Sequence, residues 1–168
     1  MYLLGDIGNT EVKLYLFSKN KKVLKKITFQ TNMITKISLN KMISIHNLKK
    51  YNIKKAIFCS VVPNIYKKIK YTLKYKLKIN CIELKQINLS KIIKIQVNKK
   101  QIGSDRLSNA ISVIDNKNNY IIVDFGTATT FDVVIKNNYL GGIISPGVKL
   151  SLNNLISKAS MIPKIKLK

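Results

Sequence analysis

The chain has 168 residues, of which 46% are hydrophobic, and its formal net charge at pH 7 is +24. This length suits one or two compact domains, and the sequence carries no signal peptide and no apolar run of about 18 residues that could cross a membrane. Such a charge is typical of nucleic-acid-binding proteins, but the 30 Lys, 27 Ile and 18 Asn all have AT-rich codons, which explain the excess without a ligand. We therefore expect a cytoplasmic protein with no membrane partner and no specific nucleic-acid partner.

The first part of the chain predicts an antiparallel meander followed by strand–helix units. Apolar runs bounded by turn residues predict strands over 2–7, 11–18, 23–30, 54–60 and 79–84. A weak helical pattern covers 35–50, and a second helix begins at Pro63, a residue that suits the first turn of a helix. We assign residues 1–100 to an N-terminal domain and residues 101–168 to a C-terminal domain.

The second part predicts another meander, framed by two helices. Residues 85–102 are treated as a connector, and a helix fits from Gly103 because its apolar residues recur at helical spacing. Strands are expected over 120–125, 129–136 and 139–145, and a helix near 148–160. Within the middle strand, Phe131, Val133 and Ile135 alternate. This half is expected to be incomplete, because the chain stops before another strand–helix unit.

Two short loops share one sequence pattern, Asp-x-Gly followed by polar residues and Thr, and each lies between two strand-like runs. They are Asp6-Ile7-Gly8-Asn9-Thr10 and Asp124-Phe125-Gly126-Thr127-Ala128-Thr129-Thr130. Either loop alone also fits a plain hairpin turn with an Asp-x-Gly signature. A second hairpin has no structural need to repeat the Thr and the Asp, so the duplication favours two like halves that grip the phosphates of one nucleotide. Phosphoryl transfer from ATP is therefore the leading hypothesis.

The residue types of the first loop suit this chemistry. Gly8 lets the backbone turn tightly and approach a ligand, and amide groups at such a turn form a concavity that binds anions. Asn9 and Thr10 add short side-chain donors, and Lys13 adds positive charge. Asp6, at the end of a strand, is placed to hold Mg²⁺ through water, which is the usual mode for that ion.

A third motif, Gly103-Ser104-Asp105-Arg106, opens a predicted helix. An acid in a first helical turn also complements the helix dipole, and Ser104 also suits a helix cap. However, Arg106 is the only arginine beside 30 lysines, which indicates a position that needs the planar guanidinium group. We therefore favour Asp105 as a general base for an attacking hydroxyl, and Arg106 as a contact for an anionic substrate group.

Together these motifs resemble the type III pantothenate kinases. The residues that carry the resemblance are Asp6-Ile-Gly-Asn-Thr10, Ser60-Val-Val-Pro63, Gly103-Ser-Asp-Arg106, Asp124-Phe-Gly-Thr-Ala-Thr-Thr130, and Tyr139-Leu-Gly-Gly142 running to Ser145-Pro-Gly147. The resemblance covers essentially the whole chain. It implies an α/β fold with two ribonuclease-H-like halves, as in the actin, Hsp70 and acetate kinase superfamily, the second half being incomplete.

The resemblance also implies the activity: ATP-dependent phosphorylation of pantothenate to 4'-phosphopantothenate, the first step of coenzyme A biosynthesis, by a homodimer with its substrate site at the subunit interface. By position, the implied ATP contacts are Asp6, Ile7, Gly8, Asn9, Thr10, Glu11, Val12, Lys13 and Thr127. Asp105 matches the catalytic base, and Gly103, Ser104, Asp105 and Arg106 match the pantothenate-binding segment. Asp124 matches the ligand of a monovalent cation, K⁺ or NH₄⁺.

Two features depart from the family pattern. Gln96 stands where family members commonly carry an aromatic residue that packs near pantothenate. The family also usually continues through a C-terminal third with a Gly-x-Asn-Thr substrate motif, and this chain ends at Lys168, just short of it. A fragment, a truncated gene product and one part of a split protein are the possible interpretations. The alternative functions are a catalytically impaired nucleotide-binding or regulatory relative and a basic nucleic-acid-binding protein.

Overall fold

The computed structural model describes residues 1–159 and 163, which divide into two compact units. The first unit comprises Met1–Asn88 and Gly103–Ser108, and the second comprises Leu89–Ile102 and the described residues from Asn109 onward. The division runs through a helix, and the domain boundary at residue 100 stays a prediction. In this part of the chain, no helix combines the length and apolar character needed to cross a membrane.

The first unit is a five-stranded sheet with two helices on one face. Its elements are β1 (Tyr2–Ile7), β2 (Glu11–Phe17), β3 (Val23–Gln30), α1 (Lys36–Ile45), β4 (Lys55–Ser60), α2 (Pro63–Leu77) and β5 (Cys81–Glu83). The strand order is β3-β2-β1-β4-β5, with β1 antiparallel to β2 and parallel to β4. The predicted meander and strand–helix units are confirmed. The first helix ends before residue 50 because Asn47 adopts a left-handed conformation, with φ of 48°.

Buried side chains alternate with more exposed ones along the central strands of this unit, so its core lies on one face of the sheet. The buried positions of β1, β2 and β4 include Leu3, Ile7, Val12, Leu14, Ala56 and Phe58, all 0% exposed. They pack with apolar side chains of α1 and α2, among them Leu39, Met42, Ile69 and Leu73. The intervening residues of β1, including Asp6, are exposed on the opposite side. Along one strand, every second side chain therefore packs in the core, and the side chains between them face the candidate site.

The second unit contains a four-stranded sheet, part of which repeats the strand order of the first. Its strands are β6 (Lys94–Ile95), β7 (Asn119–Phe125), β8 (Ala128–Ile135) and β9 (Asn138–Pro146). The strand order is β6-β9-β8-β7, so β7, β8 and β9 form the same kind of meander as β1, β2 and β3. Helix α3 (Ser104–Val113) starts in the first unit and continues into the second, and α4 (Val148–Lys158) follows β9. Residue 160, the predicted end of the last helix, lies outside the described residues.

Treating residues 85–102 as a plain connector was wrong. The segment contains β6, which lies parallel to β9. The Lys94 N–H group donates to the carbonyl of Asn137 at 2.8 Å, and the Gln96 N–H group donates to the carbonyl of Tyr139 at 3.0 Å. These bonds join residues that are more than forty positions apart, so local sequence does not reveal this strand.

The buried side of β8 differs from the side that apolar alternation indicates. Asp132 and Val134 are 0% exposed, whereas Phe131 and Val133 are only half-buried. The Asp132 carboxylate is accommodated because it accepts a hydrogen bond from the Tyr139 hydroxyl, which is also buried. A charged residue on the core side of a strand breaks the polar–apolar pattern that sequence periodicity depends on.

The other side of the second sheet is apolar and open to solvent among the described residues. Ile121 and Phe125 of β7 are 73% and 72% exposed, and Ile143 of β9 is 67% exposed. Pairing registers place these side chains on the same side as Phe131 and Val133. Helix α4 has no buried side chain within its described length.

Replacing Gly5 with Ala should destabilise the first unit by roughly 1 to 3 kcal/mol, the usual cost of overfilling a packed core. The added carbon would lie 2.2 Å from two carbons of the Phe58 ring, which is itself completely buried. Urea unfolding followed by circular dichroism measures the change. Gly126→Ala is the matched control, because its added carbon would meet its nearest neighbour at an ordinary 3.5 Å. A Gly5→Ala midpoint equal to that of the wild type would contradict the packing described.

Candidate active site

The first Asp-Gly loop connects β1 to β2 and is anchored at both ends. Ile7 and Val12 are 0% exposed, so these two residues of the predicted ATP loop serve as core anchors with only their backbone near the surface. The Gly8 N–H group donates to the carbonyl of Glu11 at 2.9 Å and closes the turn. Asn9 and Thr10 are exposed. The loop therefore presents short polar side chains on a tightly turned backbone.

Thr31, the residue that follows β3, stabilises this loop through two hydrogen bonds. Its hydroxyl donates to the carbonyl of Gly8 at 2.8 Å, and its N–H group donates to the carbonyl of Thr10 at 2.9 Å. The residue is 6% exposed, so these bonds are shielded from water. Because two loop carbonyls accept hydrogen bonds from Thr31, the loop conformation depends on the residue that follows β3.

Pairing within the first sheet gathers polar side chains next to Asp6. Asp6 lies opposite Lys13 of β2 and beside Cys59 of β4 in the pairing register. Residues paired in this way share one side of the sheet. The ammonium group of Lys13 also lies 3.8 Å from the Glu11 carboxylate, and both side chains are about 40% exposed. This side of the sheet therefore carries two carboxylates and an ammonium group at the mouth of the loop.

The start of α3 presents Asp105 in a defined conformation. Its Oδ1 atom accepts a hydrogen bond from the N–H group of Arg106 at 2.8 Å. A Cβ atom at Gly103 would lie 2.3 Å from that same oxygen, so a larger residue there would require the Asp105 carboxylate to shift. Ser104 and Arg106 are buried, with exposures of 2% and 9%. The four residues of this motif therefore form one packed turn, with Asp105 as its half-buried acid.

The Cys59 thiol shows that the first loop and the start of α3 converge. The pKa of Cys59 is raised to about 11, chiefly by burial; a hydrogen bond with Ser108 opposes the rise, and the charges of Asp6, Glu83 and Asp105 add to it. Asp6 and Asp105 are far apart in sequence, yet both carboxylates act on one thiol. All of these residues belong to the first unit. Strand pairing sets Asp6 beside Cys59, and Ser108, in the same helix as Asp105, bonds to the Cys59 thiol, so both motifs lie near this residue.

The second Asp-Gly loop belongs to the second unit and connects β7 to β8. Asp124 is exposed, and its Oδ2 atom accepts a hydrogen bond from the Asn109 side-chain amide at 2.9 Å. Gly147 packs against this loop: its N–H group donates to the carbonyl of Thr127 at 3.1 Å. A Cβ atom at Gly147 would lie 2.4 Å from the carbonyl oxygens of Gly126 and Thr127, so this glycine is required for the approach.

Two residues that contribute to these sites, Thr31 and Glu83, were not singled out by sequence reasoning, whereas Gly147 belongs to the last of the motifs. Thr31 and Gly147 each hold one Asp-Gly loop, and Glu83 touches the start of α3 through Ser104. Only Glu83 left a signal in the sequence, as one of two acids among seven that lie outside the motifs. The contacts of Thr31 and Gly147 join residues that are far apart in sequence, which composition and spacing do not show.

Known structures establish the class of fold. A crystal structure described as a Baf family transcriptional activator from Campylobacter jejuni matches with a TM-score of 0.54 and 19% identity, over 99% of this chain and 68% of that one. A structure described as a 2-dehydro-3-deoxygalactonokinase from Sinorhizobium meliloti matches with a TM-score of 0.53 and 11% identity, over 96% of this chain and 58% of that one. At such identities the likeness concerns the fold alone. It confirms the predicted α/β class with ribonuclease-H-like halves, which sugar kinases share.

Sequence comparison narrows this class to one family. The family model for type III pantothenate kinase matches residues 2–168. The type III pantothenate kinase of Pelagibacter ubique (strain HTCC1062) is 57% identical over 168 residues, which are 100% of this chain and 68% of that relative. The one from Sulfurihydrogenibium sp. (strain YO3AOP1) is 36% identical over 175 residues, 99% of this chain and 69% of the relative. The chain belongs to the type III pantothenate kinase family and spans about two thirds of the length of these relatives.

Removing the charge of Asp6 or Asp105 should lower the pKa of Cys59 from about 11, because both carboxylates disfavour the thiolate. Asp6→Asn and Asp105→Asn should therefore react faster with iodoacetamide at any pH below that value, since the thiolate is the nucleophile. The pH–rate profile is measured in a Cys81→Ser background, because Cys81 is also a free thiol. Asp115→Asn, in an exposed turn, is the control. Profiles that superimpose on the parent would contradict the convergence.

Proposed function

We propose that this chain transfers the γ-phosphoryl group of ATP to the primary hydroxyl of pantothenate, producing 4'-phosphopantothenate for coenzyme A biosynthesis. Membership of the type III pantothenate kinase family supports the substrate and the reaction. The observation that supports the assignment of roles is that Asp6 pairs with Cys59 in the strand register, while Ser108, in the same helix as Asp105, bonds to the Cys59 thiol. Phosphoryl transfer depends mainly on positioning and charge neutralisation, and two convergent acids beside a lysine suit both tasks.

In this proposal Asp105 is the catalytic residue. One of its carboxylate oxygens is held by the N–H group of Arg106, which leaves the other oxygen to accept the proton of the pantothenate hydroxyl. As that proton leaves, the hydroxyl oxygen attacks the γ-phosphorus and the bond to the β–γ bridging oxygen breaks. Gly103, Ser104 and Arg106 shape the substrate-binding turn around Asp105, and Arg106 contributes its positive charge.

The ATP phosphates are assigned to the first loop, from Asp6 to Lys13, and to Thr127 of the second. The exposed donors of Asn9 and Thr10 and the ammonium group of Lys13 fit an anionic ligand. Asp6 is an exposed oxygen ligand, which fits Mg²⁺ bound through water. When bound, Mg²⁺ supplies charge neutralisation on the phosphates. Among the described residues, no group of three or more His, Cys, Asp or Glu side chains is arranged to hold a metal ion.

A monovalent cation, K⁺ or NH₄⁺, is assigned to Asp124. One of its oxygens accepts a hydrogen bond from Asn109, and in the strand register Asp124 lies opposite Thr130. The Thr130 hydroxyl oxygen is buried and has no hydrogen-bond partner in the described structure. A carboxylate beside an unsatisfied oxygen fits a hard cation that takes oxygen ligands. The cation would supply positive charge next to the second loop.

We further propose a cytoplasmic homodimer with pantothenate at the interface and no specific nucleic-acid ligand. The free thiols of Cys59 and Cys81 fit a reducing compartment. The exposed apolar side of the second sheet, with Ile121, Phe125 and Ile143, offers a surface that a second copy can bury. Light scattering at several protein concentrations tests the dimer: a single monomeric mass throughout would refute it.

The second candidate is a nucleotide-binding relative without turnover. The observation that favours it is α4, whose described side chains are all at least partly exposed, so the second unit leaves apolar surface uncovered. This candidate predicts ATP binding by calorimetry with no phosphorylated product in any assay. Detection of 4'-phosphopantothenate with the wild type would eliminate it.

Asp105→Asn should lower kcat by about 100-fold or more, the usual contribution of a general base. ATP affinity measured by calorimetry should stay at the wild-type value, because the first loop is unchanged. The assay couples ADP formation to pantothenate phosphorylation, with and without K⁺, and activity should require K⁺. Asp115→Asn, which neutralises an acid of an exposed turn, is the control and should retain full activity. An active wild type whose Asp105→Asn variant keeps the full rate would refute the assigned role.

A further inference from the structure

Glu83 lies outside every motif that the proposed function uses, yet its carboxylate is held on both oxygens. It is the last residue of β5 and is half-buried. Its Oε2 atom accepts a hydrogen bond from the N–H group of Lys85 at 2.7 Å. Its Oε1 atom accepts one from the hydroxyl of Ser104. The Glu83 N–H group also donates to the side-chain oxygen of Gln86 at 3.3 Å, so both its main chain and its side chain are tied down.

The hydrogen bond between Ser104 and Glu83 is shielded from water by the burial of Ser104, unlike a hydrogen bond at the surface. It is the first residue of α3 and is only 2% exposed, so its hydroxyl needs a partner inside the protein. A hydrogen bond to a carboxylate is stronger than one between neutral groups. The bond joins the end of a strand to the start of a helix, twenty-one residues further along the chain.

The residue after Ser104 is Asp105, whose carboxylate is oriented by local contacts of the helix start. Its Oδ1 atom accepts a hydrogen bond from the N–H group of Arg106 and packs closely against Gly103. A shift of the helix start would therefore move this carboxylate directly. In phosphoryl transfer a displacement of about 1 Å at the reacting group can cost roughly 100-fold in rate.

We propose that Glu83 is a positioning residue that fixes Asp105 through the Ser104 hydroxyl and so sets the geometry of the general base. The inference rests on the role proposed for Asp105. Glu83 does not touch the reacting atoms in this account; it acts through the backbone of the α3 start. Glutamate suits the task because both bonding groups that reach it, the Lys85 N–H group and the Ser104 hydroxyl, are donors. A glutamine would turn its own NH₂ group toward one of them.

The test is a double-mutant cycle on kcat for Glu83→Ala and Ser104→Ala. Each single variant should lower kcat roughly 10- to 100-fold, with the calorimetric affinity for ATP unchanged. The double variant should be no slower than the worse single variant, because both remove the same link. Glu83→Gln, which keeps the shape and one acceptor, should recover part of the lost rate. Gln86→Ala, which removes a neighbouring bond to Glu83 but not the Ser104 contact, is the control and should match the wild type.

A second measurement distinguishes the failure of this inference from the failure of the proposed function. Amide hydrogen exchange over residues 103–108 should be faster in Glu83→Ala than in Gln86→Ala, whether or not the protein turns over pantothenate. A wild type without kinase activity but with this exchange difference would refute the proposed function and keep the Glu83–Ser104 link. Multiplicative losses in the double variant, wild-type kcat in Glu83→Ala, or unchanged exchange would each overturn the positioning role.

Discussion

The alternation of side chains along β1 is the constraint on which the rest of the site depends. Leu3 and Ile7 are buried in the core, so Asp6 between them must face the other side of the sheet. Pairing with β2 and β4 then sets Lys13 and Cys59 beside it. A slip of one residue would put the carboxylate in the core and an apolar side chain at the loop, and the cost of burying a charge excludes that register.

Charge is distributed in this protein in a way that favours a phosphate ligand. The chain carries a net charge of +24 with only seven acids, and three of these acids act on the single thiol of Cys59. The basic surface attracts a polyanion such as ATP over several ångströms. In the proposed function, the local acids Asp6 and Asp105 would supply what a positive surface cannot: an oxygen ligand for Mg²⁺ and a base for the acceptor hydroxyl.

Sequence predicted the parts of the fold that rest on local pattern, and missed those that rest on distant partners. The five strands and two helices of the first unit follow from apolar alternation and from punctuation such as Pro63. Strand β6 was missed because its bonds come from β9. The core side of β8 was misjudged because a buried acid, Asp132, has a tyrosine partner seven positions away. The motifs located Asp6 and Asp105, whereas the contacts of Thr31 with the first loop and of Glu83 with Ser104 are visible only in three dimensions.

The central claim is that the ligands of the kinase reaction bind on the side of the first sheet that carries Asp6 and Cys59, near the start of α3. Protection of that thiol tests it most directly. In the Cys81→Ser background, the alkylation rate of Cys59 is measured with and without saturating Mg²⁺-ATP and pantothenate, with binding checked by calorimetry. The account predicts that the ligands slow alkylation, because they cover the thiol and add negative charge that disfavours the thiolate. An unchanged alkylation rate under conditions where ATP is bound would contradict it.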